Sequence, residues 1–294
     1  MVSIRSTPAL SVAAGLLALG GLAACSAPET AAPGAAGTGT GGSPAACTKA
    51  ALKLQTAGRF TVGTDKPAYP PWFVDNTPTN GKGYESAVAY AVAAKLGFAT
   101  TEVTWVTVPF NNAVTPGVKS FDVDINQVSI SDARKQAVDF SSGYYGVRQA
   151  VVTTKGSVLD GKTSVAALAS AKLGAQVGTT SYTAITDQIK PSQQAAPYDT
   201  NDLAVQALKN GQIDGIVVDL PTAFFMTSAQ LDNGVIVGQL PQAGSTPEQF
   251  GMVLDKGSAL TACVSRAVDA LRTDGTLDRL AAQYLTAAGA PELK

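Results

Sequence analysis

The chain has 294 residues, a formal net charge of −1 and 45% hydrophobic residues, enough length for two ordinary domains and enough apolar character for a folded core. It contains no histidine, which removes Ser/His and Cys/His dyads and every histidine metal site, so neither a metal nor a cofactor is expected. A near-neutral balance without a basic run excludes nucleic acid as a partner, because counterion displacement needs clustered Lys and Arg.

Arg5 precedes a small, apolar run from Ala9 to Ala24, short and glycine-containing, which suits a secretory signal better than a membrane span. The run ends Leu22-Ala23-Ala24-Cys25 and resembles the lipobox of bacterial lipoproteins. That resemblance implies removal of a signal peptide at 1–24, lipid on Cys25, and an extracytoplasmic protein anchored to the bacterial cell membrane; the alternative is an ordinary signal peptide with a stray cysteine. Residues 26–46 are Gly, Ala, Pro, Ser and Thr with one charge, so the segment 25–46 reads as a flexible tether. With Cys25 assigned to lipid, Cys47 and Cys263 remain as an even pair in an exported chain. A disulfide between them is predicted, against the alternative of two separate buried thiols.

Past the tether, strand-like and helix-like segments alternate, the pattern of an α/β protein. Residues 59–64 read as a strand. A helix follows over 84–96, with Tyr84, Val88, Val92 and Leu96 on one stripe and Gly97 as its stop. Strands are predicted at 101–108 and over DVDINQV (122–128), with a short helix from Asn111 between them. A second unit repeats the order: strand 150–154, helix 164–171, strand 173–177, a GTTS turn opening a helix, a helix capped by Asn201 or Asp202, and a strand at 213–218. Helices from Ser258 to about Asp274 and from Thr276 to about Ala287 close the chain.

Polar groups collect at the ends of these strands, where open α/β sheets place ligands. Asp65 follows the first strand, with Tyr69 and Trp72 around Pro70-Pro71; Phe110 follows the second; Asn126, Gln127 and Ser129 end the third, with Arg134 just beyond. In the second unit Thr179, Thr180 and Ser181 follow one strand and Asp219 another. One guanidinium, two carboxylates, amides, hydroxyls and aromatic rings are what a free α-amino acid requires.

From about Cys47 to about Leu285 the sequence resembles the polar amino-acid-binding family of bacterial ABC-importer solute-binding proteins. GTDKPAYPPW, GYESAVAYAVAAKLG, FDVDINQVSISDARKQAVDFSSGYY, LGAQVGTTS, LKNGQIDGIVVDLP and ACVSRAVDALRTDGTLDRLAAQYL carry the resemblance in the family's order. It implies two α/β lobes joined by two crossover strands near 146–150 and 243–249, with lobe 1 at 47–148 and 245–294, lobe 2 at 149–244, and the ligand in the cleft. The disulfide would then lie within one lobe. The implied partners are an amino-acid ligand, an ABC permease and its ATPase, and the membrane through Cys25, the protein itself acting as a monomer.

Residue by residue, the resemblance implies that Arg134, Ser129 and the Thr180 region take the ligand carboxylate, that Asp219 takes its ammonium, and that Tyr69 and Phe110 flank it. Asp65, Asn126, Gln127, Gln176 and Ser181 would face the side chain. Competing structural readings stand beside these: a helix N-cap for Asp219, core packing for Tyr69 and Phe110, a turn residue for Asp65, and a solvated loop arginine for Arg134. Trp72 reads as packing. The family often has Ala-Gly or Ser-Ser where this chain has Asn126-Gln127, and two amides with Asp65 favour a polar or cationic side chain. Arg148 next to the first crossing would restore an acidic ligand if it entered the cleft. The other functions open at this stage are a ligand-sensing lipoprotein without a transporter and an enzyme similar to cyclohexadienyl dehydratases, for which Glu85, Glu102 and Glu248 are the glutamates available as a general acid.

Overall fold

The computed structural model describes residues 47–286 and 289–294. The expected signal peptide, the Cys25 anchor and the tether lie outside the described residues, and so does the predicted end of the last helix at Ala287.

Two five-stranded sheets organise the chain. The first contains β1 (Phe60–Thr64), β2 (Val103–Thr107), β3 (Val123–Asp124), β4 (Val138–Phe140) and, from the far end of the sequence, β12 (Val253–Asp255), in the order β2-β1-β3-β12-β4. Strands β2, β1 and β3 run parallel, and β12 is antiparallel to both its neighbours. A two-stranded ribbon of β5 (Tyr145–Gly146) and β11 (Gln249–Phe250) follows. The second sheet contains β6 (Gln149–Thr154), β7 (Leu173–Gln176), β8 (Ala196–Tyr198), β9 (Gly215–Asp219) and β10 (Gly234–Gln239), in the order β10-β6-β9-β7-β8. Each sheet with its helices forms an α/β lobe. The ribbon lies where the chain passes from one sheet to the other and back.

Every residue of β1 is buried, as expected of a central parallel strand covered on both faces. One covering helix is α1 (Tyr84–Lys95). Its predicted stripe, Tyr84, Val88, Val92 and Leu96, is buried throughout, and Gly97 at φ +88° ends it. Short helices α2 (Phe110–Val114) and α3 (Asp132–Lys135) follow in the first lobe; α4 (Thr180–Ala184), α5 (Asn201–Lys209) and α6 (Leu220–Phe225) belong to the second; α7 (Thr261–Thr273) and α8 (Thr276–Tyr284) return to pack on α1. The Cys47–Cys263 disulfide forms, joining the start of the folded chain to α7 with a Cα–Cα distance of 5.4 Å. Both cysteines pack in the first lobe's core.

Four expectations need correction. The strand predicted over 122–128 is regular only at Val123–Asp124, because Gln127 adopts φ +47° and turns the backbone out of the extended region. The predicted helix at 164–171 shrinks to a 3-10 turn at Ala166–Leu168, and α5 is capped by Thr200, whose hydroxyl accepts from the Leu203 N–H, rather than by Asn201 or Asp202. The expected assignment of everything from 245 to 294 to lobe 1 also fails at its end. Gln239 of β10 donates its N–H to Pro291 O at 2.7 Å and accepts from Leu293 N at 2.8 Å, and Leu293 is buried in the second lobe's core. The tail leaves α8 and covers an open edge of the other sheet, which would otherwise expose unpaired backbone groups.

Candidate functional site

The parallel strands of both sheets end at a shared cleft, where strand-end geometry concentrates free backbone groups and loop side chains. The cleft encloses a cavity of ≈ 50 Å³. From the first lobe, Asp65 and Tyr69 after β1, Phe110 at the start of α2, and Asn126 and Gln127 after β3 line it. From the second lobe come Gln176 at the end of β7, Thr180 and Ser181 in the first turn of α4, and Asp219 at the end of β9. Thus nine of the eleven predicted ligand residues line one space; Arg134 and Ser129 stand behind them.

Arg134 is anchored from both lobes. Its Nη1 donates to Ser129 O at 2.7 Å and its Nη2 to Gly178 O at 2.9 Å, while the guanidinium lies 5.5 Å from the centre of the Phe110 ring, a cation–π contact. Burial lowers its pKa, opposed by the charges of Glu248 and Asp219. Gly178 makes the close approach possible: at φ +78° it accepts a conformation other residues resist, and a Cβ there would collide with the Asn111 side chain.

Asp219 stands at the N-cap position of α6, but its side chain makes no cap hydrogen bond; instead Oδ1 accepts from Gln149 Nε2 at 2.8 Å. Burial, then the neighbouring Glu248 charge, push its carboxyl up to about 8. A guanidinium and a carboxyl group at one cleft, with hydroxyls and amides around an enclosed space, are groups that can pair with a small zwitterion.

Residues 60–287 match the model of the bacterial extracellular solute-binding proteins, family 3. The chain belongs to this family. The L-arginine-binding protein of Pseudomonas aeruginosa is 26% identical over 249 residues, covering 80% of this chain and 94% of that one. The solved structure of an ancestral arginine-binding protein bound to arginine shares 30% identity at a TM-score of 0.63, covering 78% of this chain and 99% of the other. An ancestral amino acid-binding protein, a precursor of cyclohexadienyl dehydratase, shares 28% identity at a TM-score of 0.64 over 78% of this chain and 96% of the other. These relatives are binding proteins, which points to binding rather than catalysis in this chain, and the family is extracellular. No helix among the described residues is long and apolar enough to cross a membrane.

Within this solute-binding protein the carboxyl groups lining the cavity, among the described residues, are Asp65 and Asp219. Arg148 does not join them: its Nη2 donates to Leu240 O at 2.8 Å and pairs with Glu292 Oε2 at 2.6 Å. Asp65 is held by backbone, Oδ1 accepting from Lys66 N at 2.6 Å and Oδ2 from Phe110 N at 3.0 Å, so the turn role and a cavity-facing charge coexist in one residue. The buried Tyr69 hydroxyl has no hydrogen-bond partner within bonding distance among the described residues; burial, and then Asp202, raise its pKa. Trp72 is packing, as expected, wedged 5.6 Å from Tyr145 and 5.5 Å from Phe250 on the crossing ribbon.

Gln127 owes its place to Glu85, which the sequence offered only as one of three glutamates available as a general acid. Glu85, in the first turn of α1, accepts from the Gln127 N–H at 2.7 Å, from the Gln127 side-chain amide and from the Tyr144 hydroxyl. These three bonds hold Gln127 in its left-handed conformation at the cavity wall. Glu85 itself does not line the cavity, and Glu102 sits in a short 3-10 turn before β2, paired with Lys49. Sequence reasoning missed Thr200 and Asn201 as lining residues. Both follow β8, and the strand-end rule would have found them had that strand been recognised; its short, proline-containing run (Ala196–Tyr198) carries no alternation.

Proposed function

We propose that this protein is an extracytoplasmic lipoprotein, lipid-anchored through Cys25, that captures a free amino acid with a polar or cationic side chain by lobe closure and delivers it to an ABC permease and its ATPase. The observation carrying this reading is the arrangement of ionisable groups: Arg134 bridging Ser129 O and Gly178 O from behind the lining residues, with Asp219 and Asp65 on the cavity wall. Arg134 would take the α-carboxylate and Asp219 the α-ammonium, leaving Asp65, Asn126, Gln127 and Gln176 for the side chain. With Arg148 committed to Leu240 and Glu292, no cation among the described residues lines that space, so an acidic side chain finds no counter-charge there. The arginine-bound relative supports a cationic ligand. Groups from both lobes surround the cavity, so closure completes the contacts and excludes water, and the closed form is what a permease would recognise.

A thermal-shift screen of the standard amino acids with cystine and ornithine tests the reading, since a ligand binding only the folded state raises the melting temperature. Arginine, lysine, histidine or glutamine should give the largest shift, and none at all would sink the amino-acid reading. Replacing Arg134 with Ala should weaken binding by about 3–5 kcal/mol, because it leaves a carboxylate unpaired in a dry cleft; normal affinity in Arg134→Ala would reject this site.

A further inference from the structure

Two polar residues outside the predicted ligand set, Gln149 and Glu248, sit where the chain crosses between the lobes. Gln149 opens β6 and is 4% exposed; Glu248 immediately precedes β11. The Ser181 hydroxyl donates to Gln149 Oε1 at 2.6 Å, which fixes the orientation of the amide. Its Nε2 therefore points the other way, donating to Asp219 Oδ1 at 2.8 Å and reaching Glu248 Oε2 at 3.2 Å. Glu248 Oε1 in turn accepts from the Ser129 hydroxyl at 2.6 Å. Ser129 has one hydroxyl proton, and Glu248 accepts it, so Ser129 Oγ turns lone pairs toward Thr180 Oγ1, 3.2 Å away on the cavity wall. That polarity suits an ammonium and does not suit the carboxylate expected for this hydroxyl from the sequence.

We propose that Glu248 and Gln149 are positioning residues for ligand capture: Glu248 orients the Ser129 hydroxyl as an acceptor, and Gln149 aims the Asp219 carboxylate, so that the two crossing segments set the acceptor polarity of the ammonium subsite. The inference rests on the amino-acid reading above. It also gives the hinge a direct role in recognition, because Ser129 belongs to the first lobe, Ser181 and Asp219 to the second, and the two residues that join them lie on the crossings.

Double-mutant cycles by isothermal titration of the full chain test it, with L-arginine as the probe or, should that not bind, the amino acid giving the largest thermal shift. Glu248→Ala and Gln149→Ala should each weaken binding about tenfold, the scale of one hydrogen bond to a charged group. In a Ser129→Ala background the Glu248→Ala change should cost less than about twofold, and likewise Gln149→Ala in an Asp219→Asn background. Glu248→Gln keeps an oxygen that can accept the Ser129 proton and should stay within about threefold of wild type, whereas Glu248→Met, of similar size without an acceptor, should not. Melting curves identify any variant that fails to fold, and the Gln/Met comparison then carries the test. Wild-type affinity in Glu248→Ala and Gln149→Ala overturns the proposal, as do losses that persist undiminished in the Ser129→Ala and Asp219→Asn backgrounds. A wild-type chain that binds no amino acid overturns the amino-acid reading and this inference with it; unchanged variants of a binding-competent wild type overturn this inference alone.

Discussion

Glu85 is fully buried and Asp219 half-buried at the cavity wall; both carboxyls have raised pKa values, and their surroundings give them different consequences. Asp219, pushed up to about 8 by burial and Glu248, holds a proton at neutral pH that an incoming ammonium must displace. Binding should release a proton at pH 7, and affinity should rise between pH 6 and about 8, the linkage expected when a ligand prefers the ionised form. Titrations in two buffers of different ionisation enthalpy measure the release; a flat profile without proton release would show Asp219 already ionised before the ligand arrives. Glu85 is raised from the ordinary 4.5 to about 7, burial outweighing its hydrogen bonds from Tyr144 and Gln127. The native state therefore holds this proton over a pH range in which the unfolded chain has lost it. The resulting stability is present below about pH 4.5 and declines as pH rises through about 7, by roughly 3 kcal/mol. Asp124, buried and also raised, has the same sign, so the comparison with Glu85→Gln isolates the Glu85 share: denaturant melts of that variant should lose most of this slope between pH 5 and 7.

At the scale of elements, segments that look subordinate in the sequence determine how the site is held. The residues after α8 add an edge to the second sheet through Gln239, Pro291 and Leu293, and Lys294 N donates to Thr163 O at 3.0 Å. Gly238 is the local reason this works, since a Cβ there would lie 2.8 Å from both the Leu293 side chain and Pro291 O. Deleting 289–294 would expose the apolar surface covered by Leu293 and leave an edge unpaired. The expected loss is about 2–3 kcal/mol, the scale of one buried leucine, read as a lower denaturant midpoint with little change in m-value. An unchanged midpoint would mean that the tail adds no net stability to the second lobe.

At the scale of the molecule, stability and binding should separate. The Cys47–Cys263 bridge spans a sequence separation of 216 residues and ties together parts of one lobe's core, away from the cavity lining. Replacing both cysteines with Ser should cost about 2–5 kcal/mol of folding stability while leaving ligand affinity within about twofold. A matching drop in affinity would show instead that the bridge helps hold the cleft. Under the lobe closure proposed above, the Trp72 indole, donating to Thr222 Oγ1 across the lobes at 3.0 Å, is one contact that opening would break.

The alternating elements, the strand-end placement of Asp65, Asn126, Gln127, Ser181 and Asp219, and the disulfide were legible because each follows from local pattern: strand periodicity, helix stripes and cysteine parity. The ligand roles of Arg134 and Asp219 rest on the family resemblance, since the local sequence equally allows a loop arginine and a helix N-cap at those positions. What the sequence could not supply is the sense of each hydrogen bond. Whether Arg148 enters the cleft, whether Ser129 gives or accepts a proton, and how Glu85 sets Gln127 all depend on which distant groups arrive beside them, at sequence separations from 42 to 144 residues. Periodicity carries the direction of a side chain from its element; only the packed tertiary structure decides what that side chain meets, because a buried polar group must take its partner from whatever the fold brings within about 3 Å.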